Sequence, residues 1–145
     1  MTEDPFDLQR FVAAQDDGRT YVHALGELRA GRKTSHWMWF VFPQLRALGH
    51  SDTARFYGIS GLDEAQAYLA HPVHGPRLHE CVDAVVATPD RTAIQILGTI
   101  DALKLRSSMT LFARAATEPE PFLAVLTRFY AGTFDERTDE LLAAD

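Results

Sequence analysis

Between Gly98 and Ala115 apolar side chains fall on nearly every side of a helical wheel, and no other feature constrains the chain as much. Ile100, Leu103 and Leu111 fill one sector, and Leu105, Met109 and Phe112 fill another. A helix that is apolar all round belongs at the centre of a fold, so the other elements are expected to surround it. Two narrow polar stripes interrupt it. Asp101, Lys104 and Ser108 lie at i, i+3 and i+7, and Ser107, Thr110 and Arg114 form the second.

The rest of the chain is punctuated into short helices. Asp4-Pro5 reads as a helix start, with Leu8, Phe11, Val12 and Gln15 on one face and Asp16-Asp17-Gly18 as the stop. Thr20 opens a helix that ends at Gly31. The run His36-Trp37-Met38-Trp39-Phe40-Val41-Phe42 fits a buried strand or a buried helical turn, and periodicity does not choose between them. A short helix is expected, because no second strand of comparable strength exists to pair with it, and Pro43 limits its length.

Further starts fall at Ser51-Asp52, Ser60 to Asp63, Gly75-Pro76, Arg91, Thr99, Pro119 and Asp135. Breaks fall at Gly58, His71-Pro72, Thr88-Pro89, Gly98 and Gly132. No repeat, low-complexity segment or long linker divides the chain. The expectation is an all-α fold, one compact domain over 1–145 built of eight or nine short helices and not a simple up-down bundle.

Charge narrows the range of functions. The formal net charge is -6, from 14 basic and 20 acidic residues, a poor balance for neutralising a phosphate backbone, so nucleic-acid binding is not expected. The acidity gathers at Asp135, Glu136, Asp139, Glu140 and Asp145 and at Asp16-Asp17, a solvated tail and loop. From Arg29 to Arg114 the chain is near neutral or mildly basic, which leaves room for a local anion site. The lone Cys81 fits a reducing compartment, and neither a leader nor an apolar run of membrane-spanning length is present, so a cytoplasmic location is expected.

Lys104 is set between two apolar sectors, so its ammonium must pair or reach for water, and Asp101 one turn upstream is the expected partner. An ion pair of purely structural purpose, with hydroxyls bonding back to the preceding turn, accounts for the stripe. The alternative is a cleft floor, with Lys104, Ser107 and Ser108 holding an anionic or polar ligand. Lys33 and His36 stand at the lip of the aromatic run, Trp37 lies within it and Gln44 follows it. The aromatics are core side chains first, and pocket walls if these polar groups converge on the Lys104 stripe.

Other chemistries fare worse. His71, His74, His79 and Cys81 match no closed zinc spacing, and His71 and His74 flank Pro72 where a capping role suffices, so no metal is expected. Cys81 lies among apolar helix positions as an inert thiol. Nucleophile-elbow, phosphate-loop, dinucleotide-fold and deaminase signatures are absent, and no pattern specifies a cofactor or a catalytic residue.

Four segments together resemble a bacterial and fungal family of unknown function whose members often carry the label calpastatin. They are Asp7-Leu8-x-Arg10-Phe11; Lys33-x-x-His36-Trp37-Met38-Trp39-Phe40-x-Phe42-Pro43-Gln44; His71-Pro72-x-x-Gly75-x-Arg77-Leu78; and Gly98-x-x-Asp101-x-x-Lys104-Leu105-x-Ser107-Ser108-x-Thr110-Leu111-Phe112. The match runs from about Asp7 to Leu142, with Val73-His74 standing where a Leu-Gly pair is more usual. The resemblance implies a mainly helical single domain and no activity or catalytic residue. Calpastatin inhibitory segments are disordered and poor in aromatics, which this chain is not. Two functions remain in view: binding of a small anionic ligand, such as a nucleotide or phosphorylated metabolite, or a helical protein-interaction module without ligand chemistry.

Overall fold

The computed structural model describes residues 3–144. Its helices are α1 (Gln9–Asp16), α2 (Thr20–Arg29), α3 (Met38–Val41), α4 (Asp52–Phe56), α5 (Leu62–Ala70) and α6 (His74–Ala87), then α7 (Ala93–Leu97), α8 (Thr99–Ala115), α9 (Glu120–Tyr130) and α10 (Glu136–Ala143). Among the described residues, β geometry is confined to one parallel bridge between Leu45 and Ile59. The all-α expectation holds, and the aromatic run forms a single helical turn, α3, as expected. No helix among the described residues is long and apolar enough to cross a membrane.

Local chemistry sets most of the boundaries. Ser51 Oγ accepts from the Ala54 amide at the start of α4. Thr92 and Gln95 form a reciprocal capping box on α7, and Asp135 accepts from the Thr138 amide on α10. The N-terminus differs from expectation. Asp4 does cap a helix, but across a turn: its carboxylate accepts from the amides of Leu8 and Gln9 at 2.7 and 2.9 Å, so α1 starts only at Gln9.

Helix α8 packs against α5, α7, α9 and α10, the central position its composition requires. Phe11, Tyr68, Phe112 and Phe122 run through the core as a relay of rings, with centroids 5.1, 5.3 and 5.9 Å apart, and tie α1, α5, α8 and α9 together. The wheel overstates the burial of α8 at one end. From Leu105 to Ala113 only Arg106 escapes burial, whereas Ile100 and Leu103 are 70% and 62% exposed. At its first turns the helix runs past its neighbours on that side, and those two side chains meet solvent instead of core.

Two further features fix how the elements sit. Helix α6 crosses close against the end of α5: a Cβ on Gly75 would lie 2.3 Å from the Leu69 carbonyl oxygen, so only glycine permits that approach. Arg10 is buried with all five donors used. Nε donates to the Phe56 carbonyl, Nη1 to the carbonyls of Phe6 and Asp7, and Nη2 to the Gly58 carbonyl and to Glu64 at 2.7 Å. The other Glu64 oxygen accepts from the amide and hydroxyl of Ser60. The largely irregular stretch between α3 and α5 is pinned to α1 in this way.

Candidate functional site

The Asp101 carboxylate faces two ammonium groups. Lys33 Nζ lies 2.9 Å from Oδ2, and Lys104 Nζ lies 3.9 Å from Oδ1. The side chains of Lys33, Asp101 and Lys104 are 9%, 18% and 26% exposed. Asp101 and Lys104 do meet as the stripe predicts, yet the tighter and drier partner is Lys33, which arrives from a loop. The reason is reach. Within one helix an i,i+3 pair must bend both side chains toward each other, whereas Lys33 approaches end-on and is anchored by its own amide, which donates to the Ile96 carbonyl at 2.7 Å.

Aromatic faces complete the cluster. Lys33 Nζ is 5.2 Å from the Trp37 ring centroid, and Lys104 Nζ is 5.8 Å from that of Trp39. Trp37 is fully buried and Trp39 partly so. What orients Trp37 is Glu27, in the last turn of α2. Its Oε1 accepts from Trp37 Nε1 at 2.9 Å and from the amides of Thr34 and Ser35 at 2.7 and 3.0 Å, while Oε2 accepts from Ser35 Oγ at 2.5 Å. Desolvation raises the Glu27 pKa, but the bonds from Ser35, Thr34 and Trp37 outweigh it and bring the group down to about 2.

Glu27 was not legible as a site residue. The one available signal is an acid placed against the negative end of a helix dipole, a position that calls for compensating donors nearby.

Behind the cluster, Lys104, Gln44, Trp39 and Tyr57 line a recess of about 10 Å³, roughly the volume one water needs. The Gln44 backbone is fixed by its main-chain carbonyl, which accepts from the Ile59 amide at 2.9 Å. Ser107 Oγ donates back to the Leu103 carbonyl at 3.2 Å, the local bond expected of a mid-helix serine. Ser108 Oγ is buried without a partner. His36 is exposed at the lip. The structure therefore brings Lys33, Trp37, Asp101 and Lys104 together, sets Gln44 beside Lys104, and leaves Ser107 occupied by its own helix.

His71 and His74 serve the fold. His71 Nδ1 accepts from the amides of Val73 and His74, a cap on α6. His74 Nε2 lies 2.8 Å from the Leu8 carbonyl, which can only accept, so Nε2 carries the proton and the buried Nδ1 is left without a donor. Burial dominates over that hydrogen bond and lowers the His74 pKa to about 4. Desolvation likewise pushes the Cys81 thiol up to about 12, far from a reactive thiolate. Among the described residues no group of three His, Cys, Asp or Glu side chains is placed to hold a metal ion.

Fold and cluster together define a helical domain with two lysines converging on one carboxylate beside a pair of tryptophans. The chain belongs to the family described as "Protein of unknown function (DUF1810)", whose model matches residues 5–142. It is 57% identical to the conserved hypothetical protein Rv1873 from Mycobacterium tuberculosis, whose crystal structure it matches over 97% of this chain and 99% of that one, with a TM-score of 0.94. No curated protein matches it.

Proposed function

We propose that the chain binds a small anionic metabolite, a nucleotide or another phosphorylated compound, at Lys33, Asp101 and Lys104. The observation that supports this is the charge count: two ammonium groups share one carboxylate, which leaves the trio with one formal positive charge in an acidic protein. Asp101 is committed to Lys33, and Lys104 is the looser and more exposed of the two cations. The ligand lies across the mouth of the recess, because the recess itself takes no more than a water. Its anion meets Lys104, its flat part meets the partly exposed Trp39, and Gln44 is within the same lining.

A panel of nucleotides and sugar phosphates, read by thermal shift, tests the proposal. A ligand at one hundred times its Kd adds about 2.7 kcal/mol of stability to the wild type, and Lys104→Met removes that increment. The proposal fails if no compound shifts the wild type, or if Lys104→Met responds as the wild type does. A protein-interaction module has one observation in its favour, the exposed Ile100 and Leu103 on the same helix as Lys104. A silent panel, together with self-association that Leu103→Ser abolishes, would select that reading.

A further inference from the structure

Glu27 also lines a second, open basin of about 600 Å³, with His23, Gly26, Arg32, Thr34 and Arg91 around it. This basin carries two guanidinium groups against that single carboxylate. The Glu27 oxygens are already filled by donors from Thr34, Ser35 and Trp37, so the group has little capacity left for either arginine. Among the described residues, the ion pairs of the molecule engage neither Arg32 nor Arg91. Two arginines thus share one lining without a carboxylate of their own.

The end of α2 sets the start of the Arg32 side chain, and the Arg91 stem passes close over Gly31. Gly31 has φ 76, and its amide donates to the Leu28 carbonyl while that of Arg32 donates to the Glu27 main-chain carbonyl, closing the end of α2 and turning Arg32 onto the basin. A Cβ on Gly31 would stand 3.2 Å from Arg91 Cδ and 3.4 Å from its Nε, so the bare glycine is what lets the Arg91 stem lie flat there. On the floor, a Cβ on Gly26 would meet nothing within 4 Å, which leaves space over that position.

We infer that Arg32 and Arg91, with the Thr34 hydroxyl and the His23 imidazole as further hydrogen-bonding groups, form an anion site separate from the lysine cluster. Its ligand is a compact phosphate dianion, a phosphate monoester or a pyrophosphate group. Two planar guanidinium forks match tetrahedral oxyanions through paired N–H donors. Two arginines do not make the extended row of cations that a nucleic-acid backbone needs.

The test is a titration with sodium pyrophosphate at constant ionic strength, followed through the backbone amide signals of residues 23, 32, 34 and 91. Wild type should show saturable shifts at these amides. Arg32→Gln and Arg91→Gln should each weaken binding by about tenfold or more, since each removes one charged fork. Both arginines are exposed, so the substitutions leave the fold in place. Arg137→Gln, an exposed arginine on α10, should bind pyrophosphate within twofold of wild type. Three results overturn the inference: no saturable shift at these amides, an equal loss in Arg137→Gln, or a loss confined to Lys104→Met. The last would place the anion at the lysine cluster and leave the function proposed above standing.

Discussion

Asp101 sits between two lysines, yet the two pairs are far from equal, and substitution should expose the difference. Asp101→Asn leaves the Lys33 ammonium, 9% exposed, without its carboxylate at 2.9 Å. Breaking a buried pair costs about 3–5 kcal/mol, and the partial exposure of Asp101 places this case at the lower end, about 3 kcal/mol. Lys33→Met should cost less, about 2 kcal/mol, because Lys104 remains to compensate Asp101. Lys104→Met removes only a 3.9 Å contact to a side chain a quarter exposed, in the range of surface pairs, about 0.5 kcal/mol. Urea denaturation at neutral pH measures all three, and thermal melts should show a drop of about 6–12 °C for Asp101→Asn. In double-mutant cycles, Asp101→Asn with Lys33→Met should be non-additive by about 1 kcal/mol or more, and with Lys104→Met additive within about 0.5 kcal/mol. The reasoning fails if Lys104→Met costs as much as Asp101→Asn, or if Asp101→Asn lies within about 0.5 kcal/mol of wild type.

Arg10→Met strands the buried Glu64 charge and the carbonyls of Phe6 and Phe56, so a loss of about 3–5 kcal/mol is expected in denaturant titrations, and a change within experimental error would show that water takes over those groups. Glu27→Ala should release Trp37 Nε1 and alter its fluorescence. Because the folded carboxyl lies near 2 and its ordinary value near 4.5, the stabilisation it lends is complete above about pH 4.5 and fades as pH falls toward 2, a slope the variant should lack. His74 behaves in the corresponding way for a base: its pKa is lowered from 6.5 to about 4, so the unfolded chain binds the extra proton first. Stability should decline by about 3 kcal/mol as pH drops from 6.5 to 4, and a ring titrating near 6.5 by nuclear magnetic resonance would refute that.

Several helix boundaries were legible because they have a local cause, whereas the start of α1, which Asp4 caps across a turn, was not. Ser51, Thr92 and Asp135 are caps that act within three residues, and Gly98 and Pro89 stop helices by their own backbone restrictions. The stripe on α8 placed Asp101 beside Lys104 for the same reason, since helical periodicity fixes such neighbours. Lys33 was legible as a site residue, but its geometry as the main partner of Asp101 was not, because that contact joins residues 68 apart. Arg10 and Glu27 carry no periodic signature: their partners are loop carbonyls and amides whose positions exist only once the chain has turned back. Ile100 and Leu103 were misjudged because a wheel records which face is apolar and not where the neighbouring helices end.

The Arg10 guanidinium has a consequence for how the molecule opens. Its carbonyl partners at Phe56 and Gly58 lie 46 and 48 residues away, and Glu64 lies 54 residues away, in a part of the chain whose helices are at most two and a half turns long. That region cannot detach while α1 stays docked without baring several charged donors at once. Nor can α1 peel off alone without abandoning the carbonyls of Phe56 and Gly58. Residues 9–16 and 56–64 therefore share one opening free energy, and their amides should exchange with solvent as a single cooperative unit although they are far apart along the chain.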